Sequence, residues 1–136
     1  MNRKIIITLL AGLLLSSCST YADLYEKMDL VSSGYELISV QDLQELMRDE
    51  EITLVNVHIP LEGSISETNL MIPYNEVDQY LDQFPADKDE KIVIYCRSGS
   101  MGDEASQTLA DLGYTNVWNL EGGYNVWNAL GLPFEE

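Results

Sequence analysis

A dense apolar run, Ile92, Val93, Ile94 and Tyr95, stops at Cys96 and passes through the small-residue loop Arg97-Ser98-Gly99-Ser100 into a helical pattern. An apolar run this short and continuous, bounded by turn residues, reads as a strand covered on both faces, the kind found inside a parallel sheet. Parallel neighbours cannot be joined by hairpins, so the rest of the chain has to supply crossover helices.

The flanking patterns meet that demand. Residues 35–38 read as a short strand, and Ser39 with Asp42 caps a helix whose Val40, Leu43 and Leu46 or Met47 share one face. Residues 52–57 form a second strand, with Leu54, Val55 and Val57 dense enough for burial on both sides. Residues 58–73 read as mostly loop, after which Asn75 is expected to cap a helix carrying Val77, Tyr80, Leu81 and Phe84 up to Pro85. Beyond Cys96 a helix over about 102–112 points Ala105, Leu109 and Leu112 inward and ends at Gly113. Residues 116–120 are another strand, and Gly122-Gly123 turns the chain into a last helix bearing Val126, Trp127 and Leu130. The fold class is α/β: a parallel central sheet with helices on both faces.

This arrangement puts the Cys96 thiol at the carboxyl end of a strand, where open parallel sheets bind ligands. The following helix presents unpaired N–H groups and a positive dipole end to an anion, and a thiolate is such an anion. Cys96 is therefore the candidate nucleophile, with Arg97 beside it. The other fate of a free cysteine is inert burial in a core, but a purely structural strand end has no need of so small and polar a loop.

The first 17 residues read as an address. Arg3 and Lys4 precede an apolar stretch too short to span a bilayer comfortably, as in a secretory signal that is removed. Leu15-Ser16-Ser17-Cys18 resembles the lipobox of bacterial lipoproteins, which implies that Cys18 is lipidated and that residues 18–33 tether a domain at 34–136. A helical turn is expected around residues 22–28. The implied location is extracytoplasmic and membrane-anchored, on the periplasmic side, with the outer membrane the destination in a Gram-negative host. The chain has 2 cysteines, so lipidation of Cys18 leaves Cys96 as a free thiol outside the cytoplasm, exposed to oxidation unless it is used. With 1 histidine beside that thiol, the usual zinc and iron–sulfur ligand sets cannot be assembled, and no cofactor is expected. The formal charge of −16, from 23 acidic and 7 basic residues, excludes nucleic acid and anionic headgroups as partners.

The runs IVIYCRSGS, ASQTLADLGYTNVWNLEGGYNVW and GLPF together resemble the second half of a single-domain rhodanese, a sulfurtransferase. Leu54-Val55-Asn56-Val57-His58-Ile59-Pro60 with Glu62 sits where that family has Asp-Val-Arg-x-Pro-x-Glu. The resemblance implies that Cys96 takes sulfur from a small donor (thiosulfate, polysulfide or a persulfide) and passes it as a persulfide to an acceptor thiol, a protein thiol included, or to cyanide. It makes Arg97, Ser98, Gly99, Ser100, Met101 and Gly102 the substrate-binding loop. Glu121, Gly122 and Gly123 are then a turn beside that loop, and Trp118, Tyr124 and Trp127 core or pocket wall.

The departures from the pattern bear on substrate. Met101 stands where many active members carry a second basic residue, and Asn56 and His58 replace an aspartate and an arginine, so the usual ion pair there is absent. His58 becomes a candidate proton relay. Asp103 and Glu104 add negative charge in the first turn after the loop, which disfavours thiosulfate and suits a protein or neutral thiol. A related phosphatase or arsenate reductase would need an arginine six residues after the cysteine, and Gly102 is there instead. The competing class is a catalytically quiet module that binds a partner protein at the membrane surface.

Overall fold

The computed structural model describes residues 34–136, and the expected leader, Cys18 and tether lie outside the described residues. The elements run in the order β1 (Glu36–Ile38), α1 (Val40–Asp49), β2 (Thr53–Asn56), β3 (Ser64–Ile65), β4 (Leu70–Met71), β5 (Ile92–Tyr95), α2 (Ser100–Asp111), β6 (Val117–Leu120), α3 (Gly123–Ala129) and β7 (Phe134–Glu135). Five strands pair in the order β1-β6-β5-β2-β4, all in parallel, while β3 and β7 form a separate antiparallel pair. The expected α/β class and its parallel sheet are both present.

Side-chain alternation along β5 divides the core. Ile92, Ile94 and, one step further, Cys96 face the layer containing Ala105 and Leu109 of α2. Val93 and Tyr95 face Val40 and Leu43 of α1 and Tyr124 and Trp127 of α3. Each such aliphatic side chain contributes about 1.5–3 kcal/mol by leaving water. The α1 cap is as expected: the Ser39 hydroxyl accepts the Asp42 N–H at 3.1 Å.

Several local expectations are corrected. Residues 75–84 are not an α-helix but two 3₁₀ turns, Val77–Gln79 and Leu81–Gln83, with no side-chain cap from Asn75. Between the prolines at 73 and 85, Asn75, Asp78 and Asp82 compete for backbone hydrogen bonds, and so short a segment has little helical stability of its own to set against them. Val77 and Phe84 still reach the core, and Tyr80 stays exposed. The supposed loop at 58–73 contains β3 and β4, too short for any periodicity to show; the buried Tyr95 hydroxyl accepts the Ile65 N–H at 3.0 Å and bonds Thr68 Oγ1 at 2.7 Å, which fixes that segment. Leu112 lies exposed as the residue that ends the helix, its N–H still donating to the Thr108 carbonyl at 3.1 Å, before Gly113 turns the chain at φ 94°. On α3 it is Tyr124 and Trp127 that point inward, while Val126 and Leu130 face solvent.

Candidate active site

The carboxyl ends of β2, β5 and β6 converge, and each contributes a connection to one cluster. The N–H of Val57 donates to the Tyr95 carbonyl at 2.9 Å, so the β2 and β5 ends stay in register and His58 follows alongside the residues just past Cys96. The β6 end passes through Glu121, Gly122 and Gly123 into α3, whose Tyr124 and Asn125 N–H groups donate to the carbonyls of Cys96 and Arg97 at 2.9 and 3.0 Å. The expected turn therefore does lie against the expected loop. Gly123 is obligatory there, because a Cβ would stand 2.2 Å from the Cys96 carbonyl oxygen and 2.6 Å from the Arg97 carbonyl carbon.

Cys96 is a free thiol with 1% of its surface exposed. Its sulfur accepts the N–H of Gly99 at 3.0 Å. Gly99, at φ 115°, is the residue that turns the chain into α2, and it brings no side chain to cap that helix. Asp103 makes the first intrahelical bond, its N–H donating to the Gly99 carbonyl at 2.9 Å, so the N–H groups of Ser100, Met101 and Gly102 before it are the ones a helix start offers to an anion at the loop. Arg97, Ser98 and Ser100 are exposed around the sulfur, and Met101 is half-buried, packed against the core below.

A second layer holds the loop, and sequence reasoning did not single it out. Asn119 on β6, 1% exposed, donates through Nδ2 to the Gly99 carbonyl at 3.1 Å and to Asp103 Oδ1 at 2.8 Å. Asp103 Oδ1 also accepts the Tyr35 hydroxyl at 2.9 Å. The Asp103 carboxylate is thereby committed to holding the helix start. Gly102 is small for the same reason: a Cβ would meet Asn119 Oδ1 at 2.1 Å. A polar residue in an otherwise apolar strand was the one available signal for Asn119.

On the β2 side, Asn56 replaces an ion pair with two hydrogen bonds, accepting the His58 N–H at 2.9 Å and donating to the Gly63 carbonyl at 2.8 Å. His58 has 10% of its side chain exposed, and its two ring nitrogens lack an aligned hydrogen-bond partner. Its Nε2 is 3.4 Å from Glu62 Oε2, near enough for charge attraction when the ring is protonated, and the ring meets Tyr124 edge-on at 5.6 Å. The same Glu62 oxygen accepts the Tyr124 hydroxyl at 2.5 Å, and its other oxygen lies 3.5 Å from Arg97 Nη1. That Tyr124 hydrogen bond, helped by Arg97 and His58, holds the Glu62 carboxyl below its usual range against the opposing effect of burial. Burial first and Glu62 second push the Tyr124 phenol well up, so it stays a neutral donor. Glu62 thus joins Arg97, Tyr124 and His58 into one cluster at the thiol loop.

Residues 39–130 match the family described as the rhodanese-like domain. The chain is 37% identical over 93 residues to a sulfurtransferase of Allochromatium vinosum, an alignment covering 66% of this chain and 84% of that protein. It is 27% identical over 100 residues to the thiosulfate sulfurtransferase GlpE of Vibrio cholerae, covering 72% of this chain and 92% of the relative. Among solved structures, a rhodanese-related protein of Thermoplasma volcanium superposes with a TM-score of 0.63 at 28% identity, covering 74% of this chain and 97% of that one.

Proposed function

This chain belongs to the rhodanese-like domain family, and we propose that it is a sulfurtransferase working through a persulfide on Cys96. The observation that carries the proposal is the buried Cys96 sulfur, held at 3.0 Å by the Gly99 N–H in front of an uncapped helix start. Its relatives named sulfurtransferase are consistent with it.

The chemistry follows from that seat. The Cys96 thiolate attacks the outer sulfur of the donor; the donor's sulfur–sulfur bond breaks and its electron pair leaves with the donor's remainder, sulfite in the case of thiosulfate. The Gly99 N–H and the α2 start stabilise negative charge on both the thiolate and the persulfide without rearranging. An acceptor thiolate then attacks the outer sulfur of the persulfide, and Cys96 leaves as thiolate into the same donors. Arg97 attracts the donor, while Asn119 and Asp103 position the loop rather than touch the reacting atoms. Thiol acceptors, protein thiols included, are the proposed partners.

Intact mass of the domain before and after a polysulfide or a persulfidated thiol is the direct test. A gain of one sulfur atom located at Cys96 is expected. If no donor adds sulfur, the quiet partner-binding module takes the place of the enzyme, a reading favoured by Met101 being packed inward and leaving the loop with Arg97 as its cation.

We further propose that the domain is held at the extracytoplasmic membrane surface through lipid on Cys18. Two or three acyl chains at about 0.8 kcal/mol per buried methylene suffice for stable anchoring. In cell fractionation Cys18→Ser should move the protein from the membrane to the soluble fraction with the domain still folded. A variant that stays with the membrane would sink the lipid anchor.

A further inference from the structure

Resting on the sulfurtransferase reading, we infer that Glu62 is a specificity-determining residue: it engages the Arg97 cation and sets a negative charge at the thiol loop, so that sulfur enters from a low-charge persulfide rather than a dianion such as thiosulfate.

Glu62 comes from the segment after β2, yet its carboxylate lies 3.5 Å from the guanidinium of Arg97, the residue next to the nucleophile. The position is not incidental to a mobile surface side chain. The Tyr124 hydroxyl holds Oε2 at 2.5 Å, and Tyr124 is itself tied to the nucleophile, its N–H donating to the Cys96 carbonyl. His58 Nε2 approaches the same oxygen at 3.4 Å. Glu62 remains 42% exposed and Arg97 54% exposed, so an incoming donor meets both charges. Of the two acidic residues in the first turn after the loop, Asp103 is held by Asn119 and Tyr35, and Glu104 is exposed. With Met101 where a second cation would stand, a dianion has to compete with Glu62 for Arg97.

A persulfidated thiol avoids that competition. The Cys96 thiolate attacks the outer sulfur of RS–SH, the RS–S bond breaks, its electron pair leaves on RS⁻, and the proton stays on the transferred sulfur as Cys96–S–SH. Charge balances with one negative sulfur on each side, and no external oxidant or reductant is involved.

The test compares Glu62→Gln, which keeps the shape and can still accept from Tyr124, with the wild type in single-turnover reactions. One probe is thiosulfate; the other is methyl methanethiosulfonate, a neutral reagent that puts CH₃S on the thiolate and releases methanesulfinate. Glu62→Gln should speed sulfur transfer from thiosulfate by about tenfold or more at low salt, through loss of repulsion and release of Arg97, and change the neutral reaction by less than about threefold. A merely structural role for Glu62 would slow both alike, and that result, or an unchanged thiosulfate rate, overturns the inference. If the wild type acquires no sulfur even from a persulfidated thiol, the sulfurtransferase reading itself falls; if it does acquire sulfur and the charge discrimination is missing, only Glu62's role falls.

Discussion

Replacing Cys96 by serine is expected to lower sulfur acquisition by about 10⁴-fold or more, because a serine hydroxyl is not ionised at neutral pH and nothing else at the strand end can replace the nucleophile. The fold should survive. A serine oxygen can still accept the Gly99 N–H that now meets the sulfur at 3.0 Å, so the cost is that of burying a hydroxyl in place of a thiol, about 1–2 kcal/mol. The measurement is intact mass after a polysulfide donor, with the denaturation midpoint recorded on the same sample. Uptake of sulfur by the serine variant at the wild-type rate would remove Cys96 from the mechanism.

The second large effect concerns a residue that touches no substrate. Gly123→Ala should cost about 2–5 kcal/mol, adding the strain of a side chain at positive φ to overpacking against backbone. Gly123 has φ 58°, and its Cβ would fall 2.2 Å from the Cys96 carbonyl oxygen and 2.7 Å from that of Arg97. Neither carbonyl can yield cheaply, since each accepts an N–H from the start of α3. Relief therefore means displacing the thiol loop, and a shift of about 1 Å is enough for roughly a hundredfold loss in rate. Gly131 supplies the control: it has φ 68° with nothing within 4 Å of its Cβ, so its alanine variant bears the backbone strain without the clash. Urea denaturation and single-turnover rates on the two variants separate the contributions. Equal costs at the two glycines would show that contact with the loop does not matter.

The glycines illustrate how far local reading goes. Gly122-Gly123 is recognisable as a turn from the sequence, and so is the seating of Cys96 between a dense apolar strand and a helix. Both depend on short-range rules, the period of side-chain burial and the allowed backbone angles of glycine. The Ser39 cap, within one helical turn, is of the same kind. The 3₁₀ turns at residues 77–83 escape such rules, because the spacing of Val77, Tyr80, Leu81 and Phe84 satisfies a helix equally well until the flanking prolines and the core beneath decide.

What sequence alone determined about this protein is therefore the α/β class, the thiol at a strand's carboxyl end and the loop from Arg97 to Gly102. What only the tertiary structure decided is how that loop is held and charged. Asn119 reaches Gly99 and Asp103 across 20 and 16 residues, and Glu62 meets Arg97 and Tyr124 across 35 and 62. No local pattern encodes these partners. They come together because β5 lies between β2 and β6 in the sheet, an order chosen by the packing of both faces at once, and the side chains beyond the strand ends are neighbours only after that order exists.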